Sequence, residues 1–213
     1  MMYERSRGHV EVITGGMFSG KSEELVRRLR RATIARQRVQ VFKPLTDTRH
    51  DPERLVTRDN RELDAHTVAD SAELLGRLGS DVQVVGIDEA QFFDAGIVEL
   101  VEELADRGIR VIVAGLDLDY LRRPFGPLPE ILALAEFVDK MHAVCVRCGG
   151  TAHYSQRIAG GGEQVQVGDA DVYEARCRHC YEAFAAGEES EADEADEADE
   201  ADEADEADEA AEA

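Results

Sequence analysis

Three groups of residues have the types and spacing for chemistry. The run Gly15-Gly16-Met17-Phe18-Ser19-Gly20-Lys21-Ser22 meets the pattern G-x-x-x-x-G-K-[ST] at Gly15, Gly20, Lys21 and Ser22. Glycines let successive backbone N–H groups turn inward around phosphates, and the N-terminus of a following helix adds partial positive charge. Lys21 is then placed to reach the β- and γ-phosphates of ATP, and Ser22 to hold Mg²⁺. The bland alternative is a glycine-rich turn before an amphipathic helix. A strand before the run and a helix after it favour the nucleotide.

The second group is Asp88 and Glu89, which follow the apolar run Val84–Ile87. A phosphate loop needs a second acid near its metal, at the carboxyl end of an apolar strand, and Asp88 stands there. Glu89 beside it can take a proton from an attacking hydroxyl. That hydroxyl belongs to water in an ATPase and to a substrate alcohol in a kinase. The alternative for Glu89 is a helix-start or surface acid. The third group is Cys145, Cys148, Cys177 and Cys180, two C-x₂-C pairs separated by 28 residues. Four thiolates in two pairs suit tetrahedral Zn²⁺ in a closed structural site. A redox pair is the rival, and His179 is a bystander or a replacement for one cysteine. The module lacks a basic stripe with interleaved aromatics, so no nucleic-acid partner is expected.

The elements that must position these groups alternate. "HVEVITG" from His9 reads as a strand, and the segment from Lys21 to Gln37 as a helix with Leu25, Leu29 and Ala32 on one face. "RVQVFKP" from Arg38 is a strand that stops at Pro44. Residues 45–66 lack periodicity and read as a long loop. "DVQVVGIDEA" and "IRVIVAGLDLD" are buried-type strands, with an amphipathic helix between them closed by Gly108. "GPLPEILALAEF" reads as a helix, and "VDKMHAVCV" as a last strand running into the cysteines. Strands alternating with helices predict an α/β fold, a mostly parallel sheet with helices on both faces. The expected domains are 1–144 for the nucleotide, 145–184 for the cysteines and 185–213 as an acidic tail.

Charge separates the tail from the body. The formal net charge is −22, but Glu188–Ala213 holds sixteen acids and no bases; without them 30 acids face 24 bases, or −6. The tail repeats Glu-Ala-Asp with period three, has almost no apolar surface, and is expected to be disordered. Its simplest role is solubility; the sharper one is contact with a basic partner. No apolar run approaches the ~18 residues of a membrane span, and no signal peptide is evident, so a cytoplasmic protein without membrane contact is expected.

"GGMFSGKS", "DEAQFF" (Asp88–Phe93), "RRPFGP" (Arg122–Pro127) and the two C-x₂-C pairs occur in one order. Together they resemble the thymidine kinase family of the type shared by animals, bacteria and archaea. The resemblance covers roughly residues 8–184. It implies a RecA-like P-loop domain, a small zinc-ribbon-like domain with a "lasso" that closes over the nucleoside, and transfer of the γ-phosphate of ATP to the 5′-hydroxyl of thymidine. It also implies a homotetramer and feedback inhibition by thymidine triphosphate; a pocket that reads the base mainly with backbone groups and shape would accept thymidine and deoxyuridine and exclude purines. Carried over by position, Glu89 is the catalytic base and Asp88 the acid near Mg²⁺. Gly15 to Ser22, with Asp88, Glu89, Ala90 and Gln91, face ATP. Phe92, Tyr120 and Phe125 belong to the nucleoside pocket. So do Gln164, Val165, Gln166, Val167 and Gly168, through their backbone, and Tyr173 on the sugar side. Four positions depart from the pattern: Leu118 and Tyr120 stand where Gly and Phe are common in Asp-Gly-x-Phe, Asp169 where a second lasso Gly is usual, and Arg58 in place of a His. Two rivals remain. One is a RecA-like ATPase whose zinc module grips nucleic acid, disfavoured by the acidic body. The other is a non-catalytic nucleotide sensor, disfavoured by Glu89.

Overall fold

The computed structural model describes residues 8–46, 54–56, 62–159 and 171–182. In chain order its elements begin with β1 (His9–Thr14), α1 (Lys21–Ile34) and β2 (Val39–Pro44). A hairpin of β3 (Arg54–Val56) and β4 (Glu62–Asp64) follows, then β5 (His66–Val68), α2 (Ser71–Arg77), β6 (Val84–Ile87) and a single 3₁₀ turn, Ala90–Phe92. Next come α3 (Gly96–Asp106), β7 (Arg110–Gly115), α4 (Leu128–Leu134) and β8 (Phe137–Lys140). The short strands β9 (Ala143–Val144), β10 (Thr151–Ala152), β11 (Tyr154–Arg157) and β12 (Tyr173–Arg176) complete the list.

Strands β5-β2-β6-β7-β1-β8 lie side by side in that order, and every neighbouring pair is parallel. A parallel sheet needs cover on both faces, which is why its central strands are apolar in both phases of their alternation. Val10, Val12, Val85, Ile87, Val111 and Val113 point to one face and pack with Leu74 of α2, Ile97, Val101 and Leu104 of α3, and Leu128 and Ile131 of α4. Ile13, Val41, Val84, Ile112 and Ala114 point to the other and meet Leu25, Val26, Leu29 and Ala32 of α1. Helix α1 comes so close to β6 that a Cβ on Gly86 would lie 2.7 Å from a Leu29 methyl. The expected α/β architecture is what the chain adopts.

One acid is buried on the α1 face. Glu11 accepts from Arg28 Nη1 at 2.7 Å, Arg110 Nε at 2.5 Å and His9 Nε2 at 2.9 Å. Burial alone would raise its pKa, but Arg110, His9 and Arg28 outweigh that and hold it at about 2, against an ordinary 4.5. The folded-state pKa is therefore depressed. The resulting stability is present above pH 4.5 and is lost as pH falls through 4.5 towards 2. By linkage it is worth about 2–3 kcal/mol. Glu11→Gln is expected to lose about that much at neutral pH and very little near pH 2; urea unfolding of both proteins at the two pH values checks it.

Three readings of the sequence change. Residues 45–66 do not form one loop, because they hold the antiparallel β3–β4 pair and lead into β5 at the sheet edge. Strands of three residues are too short for a period to show. Helix α2 adds to the expected elements, and its start is written locally. The Asp70 carboxylate accepts from the Glu73 N–H at 2.8 Å, and Glu73 accepts from the Ala69 N–H at 2.7 Å, a close relative of a capping box. "VDKMHAVCV" divides: β8 ends at Lys140 in the main sheet, and β9 pairs antiparallel with β10 in the cysteine module.

Candidate active site

The phosphate loop leaves the end of β1 and returns as α1. Gly20, at φ 85°, caps the helix in a left-handed conformation that glycine adopts without steric cost. At Gly15, φ is 135°, and a Cβ there would lie 2.2 Å from the Met141 carbonyl oxygen. Lys21 is buried, and its Nζ donates to the Gly16 carbonyl at 2.9 Å; Ser19 Oγ donates to the same oxygen at 2.8 Å. The lysine thus lies back along the loop rather than out in solvent. Ser22, the second residue of α1, is half-buried. Phe18, at φ 65°, packs on the small apolar cluster of the cysteine module, and the Met17 N–H donates to Ser155 Oγ of β11 at 2.9 Å.

Asp88 and Glu89 follow β6, two strands away from β1 with β7 between them. All three strands run the same way, so the loop and the acids emerge at one edge of the sheet, ~10 Å apart across two strand spacings. Asp88 is buried, with its N–H on the Phe42 carbonyl at 2.9 Å. Glu89 is half-buried and takes φ 49°, ψ 42°, a left-handed geometry that costs a residue with a side chain about 1–2 kcal/mol. Gln91 explains how it is held. Its Nε2 donates to Glu89 Oε2 at 2.5 Å while its Oε1 accepts from the Leu116 N–H, just past β7, at 2.9 Å. Ala90 and Gln91 are buried in the 3₁₀ turn. Phe93 enters the main core, and half-buried Phe92 meets Phe125 edge to face at 5.5 Å.

After β7 the chain makes a tight turn, with the Leu121 and Arg123 N–H groups both donating to Asp119 Oδ1, at 2.9 and 2.8 Å. This turn carries Tyr120 and Phe125, both buried. The Tyr120 carbonyl accepts from the Tyr181 hydroxyl at 2.6 Å, and the Tyr120 ring lies 3.7 Å from the Arg157 guanidinium carbon. Tyr173, the first residue of β12, is buried and its hydroxyl accepts from Arg157 Nη2 at 2.7 Å. Gln164 to Gly168, with Asp169, lie outside the described residues, as do Arg58 and the acidic tail.

The four cysteines converge. All four sulfurs lie within 4.8 Å of one another, and Cys148 and Cys177 stand 3.7 Å apart. Four sulfurs on one tetrahedral zinc, each ~2.3 Å from the metal, are ~3.8 Å apart. The donor set and its spacing fit Zn²⁺. Burial would raise the Cys145 thiol, but backbone groups at Cys177, Cys148 and Arg147 hold it low; Cys177 is lowered too, while the crowded neighbouring thiols push Cys148 and Cys180 up. His179 is exposed and is not part of the cluster.

Two residues at this site gave no signal in the sequence: Ser155, which accepts from the phosphate loop, and Arg157, which joins Tyr120 to Tyr173. Both lie in "HYSQR", a stretch with no apolar face to mark it. Only the fold brings it beside the loop.

Fold and site together define a phosphate-loop α/β nucleotide-binding protein with a four-cysteine module packed against the loop. Comparison with known proteins takes this further. The family model described as thymidine kinase matches residues 8–181. The thymidine kinase of Porphyromonas gingivalis is 54% identical over 175 residues, 82% of this chain and 85% of that protein. That of Bdellovibrio bacteriovorus is 51% identical over 180 residues, 84% and 88% of the two chains, and that of Bacteroides thetaiotaomicron 50% over 177 residues, 83% and 88%. The chain belongs to the thymidine kinase family.

Proposed function

We propose that this protein is an ATP-dependent thymidine kinase, with deoxyuridine as a second substrate, acting in cytoplasmic pyrimidine deoxynucleoside salvage. The observation that carries the reading is the pairing of a phosphate loop with an oriented carboxylate, Glu89, at the same sheet edge. Residues 1–144 are read as the ATP-binding domain and 145–184 as the nucleoside-closing domain. Among the described residues no helix is long and apolar enough to cross a membrane.

In this reading the backbone from Gly15 to Gly20 cradles the phosphates, and Lys21 swings from the Gly16 carbonyl to the β- and γ-phosphates. Ser22 and Asp88 would hold Mg²⁺, which when bound neutralises charge on the triphosphate. Ala90 and Gln91 line the same wall. Glu89 takes the proton of the 5′-hydroxyl as that oxygen bonds to the γ-phosphorus. The bond from phosphorus to the β–γ bridging oxygen breaks, and ADP leaves with its electron pair. Tyr120, Phe92 and Phe125 wall the base, Tyr173 the sugar, and the backbone of 164–168 reads the base edge. Zinc, held by Cys145, Cys148, Cys177 and Cys180, supports the module structurally.

A homotetramer inhibited by thymidine triphosphate completes the proposal. Edge strand β8 leaves Phe137 56% and Val138 48% exposed, an apolar edge of the kind another copy covers. The reading is tested by ADP release. It should require thymidine or deoxyuridine, ignore purine nucleosides, and show no stimulation by single-stranded DNA. DNA-stimulated release without nucleoside would instead favour the ATPase alternative.

A further inference from the structure

Strand β11 touches both substrate regions with one face. Successive side chains of a strand alternate, so Ser155 and Arg157 point the same way. Ser155 Oγ accepts the Met17 N–H of the phosphate loop at 2.9 Å. Two residues earlier, just before the strand, His153 presents its carbonyl oxygen to Gly16, where an added Cβ would lie 3.2 Å away. At the other end Arg157 meets the aromatic turn after β7. Its guanidinium carbon lies 3.7 Å from the centre of the Tyr120 ring and 5.4 Å from that of Tyr173, and its Nη2 donates to the Tyr173 hydroxyl at 2.7 Å. Arg157 and Tyr173 are also direct partners in the β11–β12 ladder, so the side-chain contact is built on a fixed register.

Burying an arginine to 3% exposure is costly unless its charge is engaged. Here the guanidinium engages, among its contacts, two tyrosines that belong to different parts of the fold: Tyr120 on the main domain's turn, and Tyr173 at the start of β12. A planar guanidinium can stack on one ring and still donate in its own plane to a second hydroxyl; a compact ammonium has no plane to stack and no fixed fork to hold both contacts.

We propose that Arg157 is a positioning residue for the nucleoside. It fixes the tilt of the Tyr120 ring and pins Tyr173, so the two walls of the pocket hold one spacing. The inference rests on the thymidine kinase reading. The guanidinium against its ring holds Tyr120 at one angle, and the hydrogen bond from Arg157 keeps the hydroxyl of Tyr173 from rotating freely. Because Ser155 ties the same strand to the phosphate loop, displacement of β11 would disturb both sites together. Loss of the Arg157 side chain alone should disturb only the nucleoside.

The test uses the full-length protein with Arg157→Met, Arg157→Lys and Tyr173→Phe. Thymidine KM is expected to rise roughly tenfold or more in both Arg157 variants, the lysine giving no rescue, and about threefold in Tyr173→Phe. ATP KM and zinc content should stay as in the parent. A merely structural role would lower the active fraction and leave both KM values alone. The proposal is overturned if thymidine KM stays within about twofold of the parent in all variants, or if thymidine and ATP KM rise together. If the Arg157 variants do not fold, Tyr173→Phe decides by the same criteria. Calorimetric binding of thymidine separates the two levels. A parent protein that neither binds nor phosphorylates thymidine removes the kinase reading, whereas unchanged binding in every variant removes only the role of Arg157.

Discussion

Glu89→Gln is expected to lower kcat by about 10²–10⁴ while leaving KM for ATP and thymidine within a few-fold. The geometry makes glutamine the informative replacement. Gln91 donates to Glu89 Oε2, and an amide oxygen at position 89 can still accept that bond. Shape, the left-handed backbone and contact with Gln91 all survive, so basicity is what is lost. An interaction made only as the 5′-proton moves should appear in kcat and not in binding. Steady-state rates with each substrate varied in turn check this. A variant that kept a third of the parent rate would leave Glu89 as a surface acid beside the metal site, the bland alternative its sequence position also allowed.

Removal of the metal should be nearly as damaging, by a different route. Structural zinc sites in small modules contribute ~10–16 kcal/mol of apparent binding energy, and that energy is folding energy. The cluster buried around Ala143, Cys145, Ala152 and Ala175 is too small to hold strands β9 to β12 alone. Phe18 of the phosphate loop packs on it, and Ser155, Arg157 and Tyr173 ride on the strands it organises. Cys177→Ser, or prolonged treatment with a strong chelator, is therefore expected to reduce thymidine phosphorylation to about 1% or less of the parent. Nucleoside binding should fall together with metal content. Zinc determination alongside activity checks it, and Co²⁺ replacement should give the sulfur-to-metal charge-transfer bands of a four-thiolate site. Full activity in metal-free protein would return the cysteines to the redox reading.

What the sequence disclosed and what it withheld have a common physical basis. The phosphate loop, the acid pair and the two cysteine pairs are local: their chemistry depends on neighbours a few residues away, and so does the apolar character of β1, β6 and β7. The parallel sheet could be read because a strand buried on both faces must be apolar throughout. Residues whose role depends on distant partners stayed hidden. Arg157 reads as a surface arginine until β12 and the turn at Tyr120 are brought against it. Gln91 stood in a recognisable motif, yet its bridge from Glu89 to Leu116 depends on β6 and β7 being neighbours. The β3–β4 pair is silent in the sequence because three-residue strands carry no measurable period, and α2 because two turns are too short for a helical stripe, its cap, Asp70 with Glu73, being the one local sign.

The most direct test of the whole account is a structure of the protein with thymidine and a non-hydrolysable ATP analogue. A Glu89 carboxylate oxygen should lie ~2.6–3.2 Å from the nucleoside 5′-oxygen, with the γ-phosphate on the far side of that oxygen and Lys21 against it. A bound nucleoside whose 5′-oxygen faces any other group, with Glu89 turned away from it, would contradict the account.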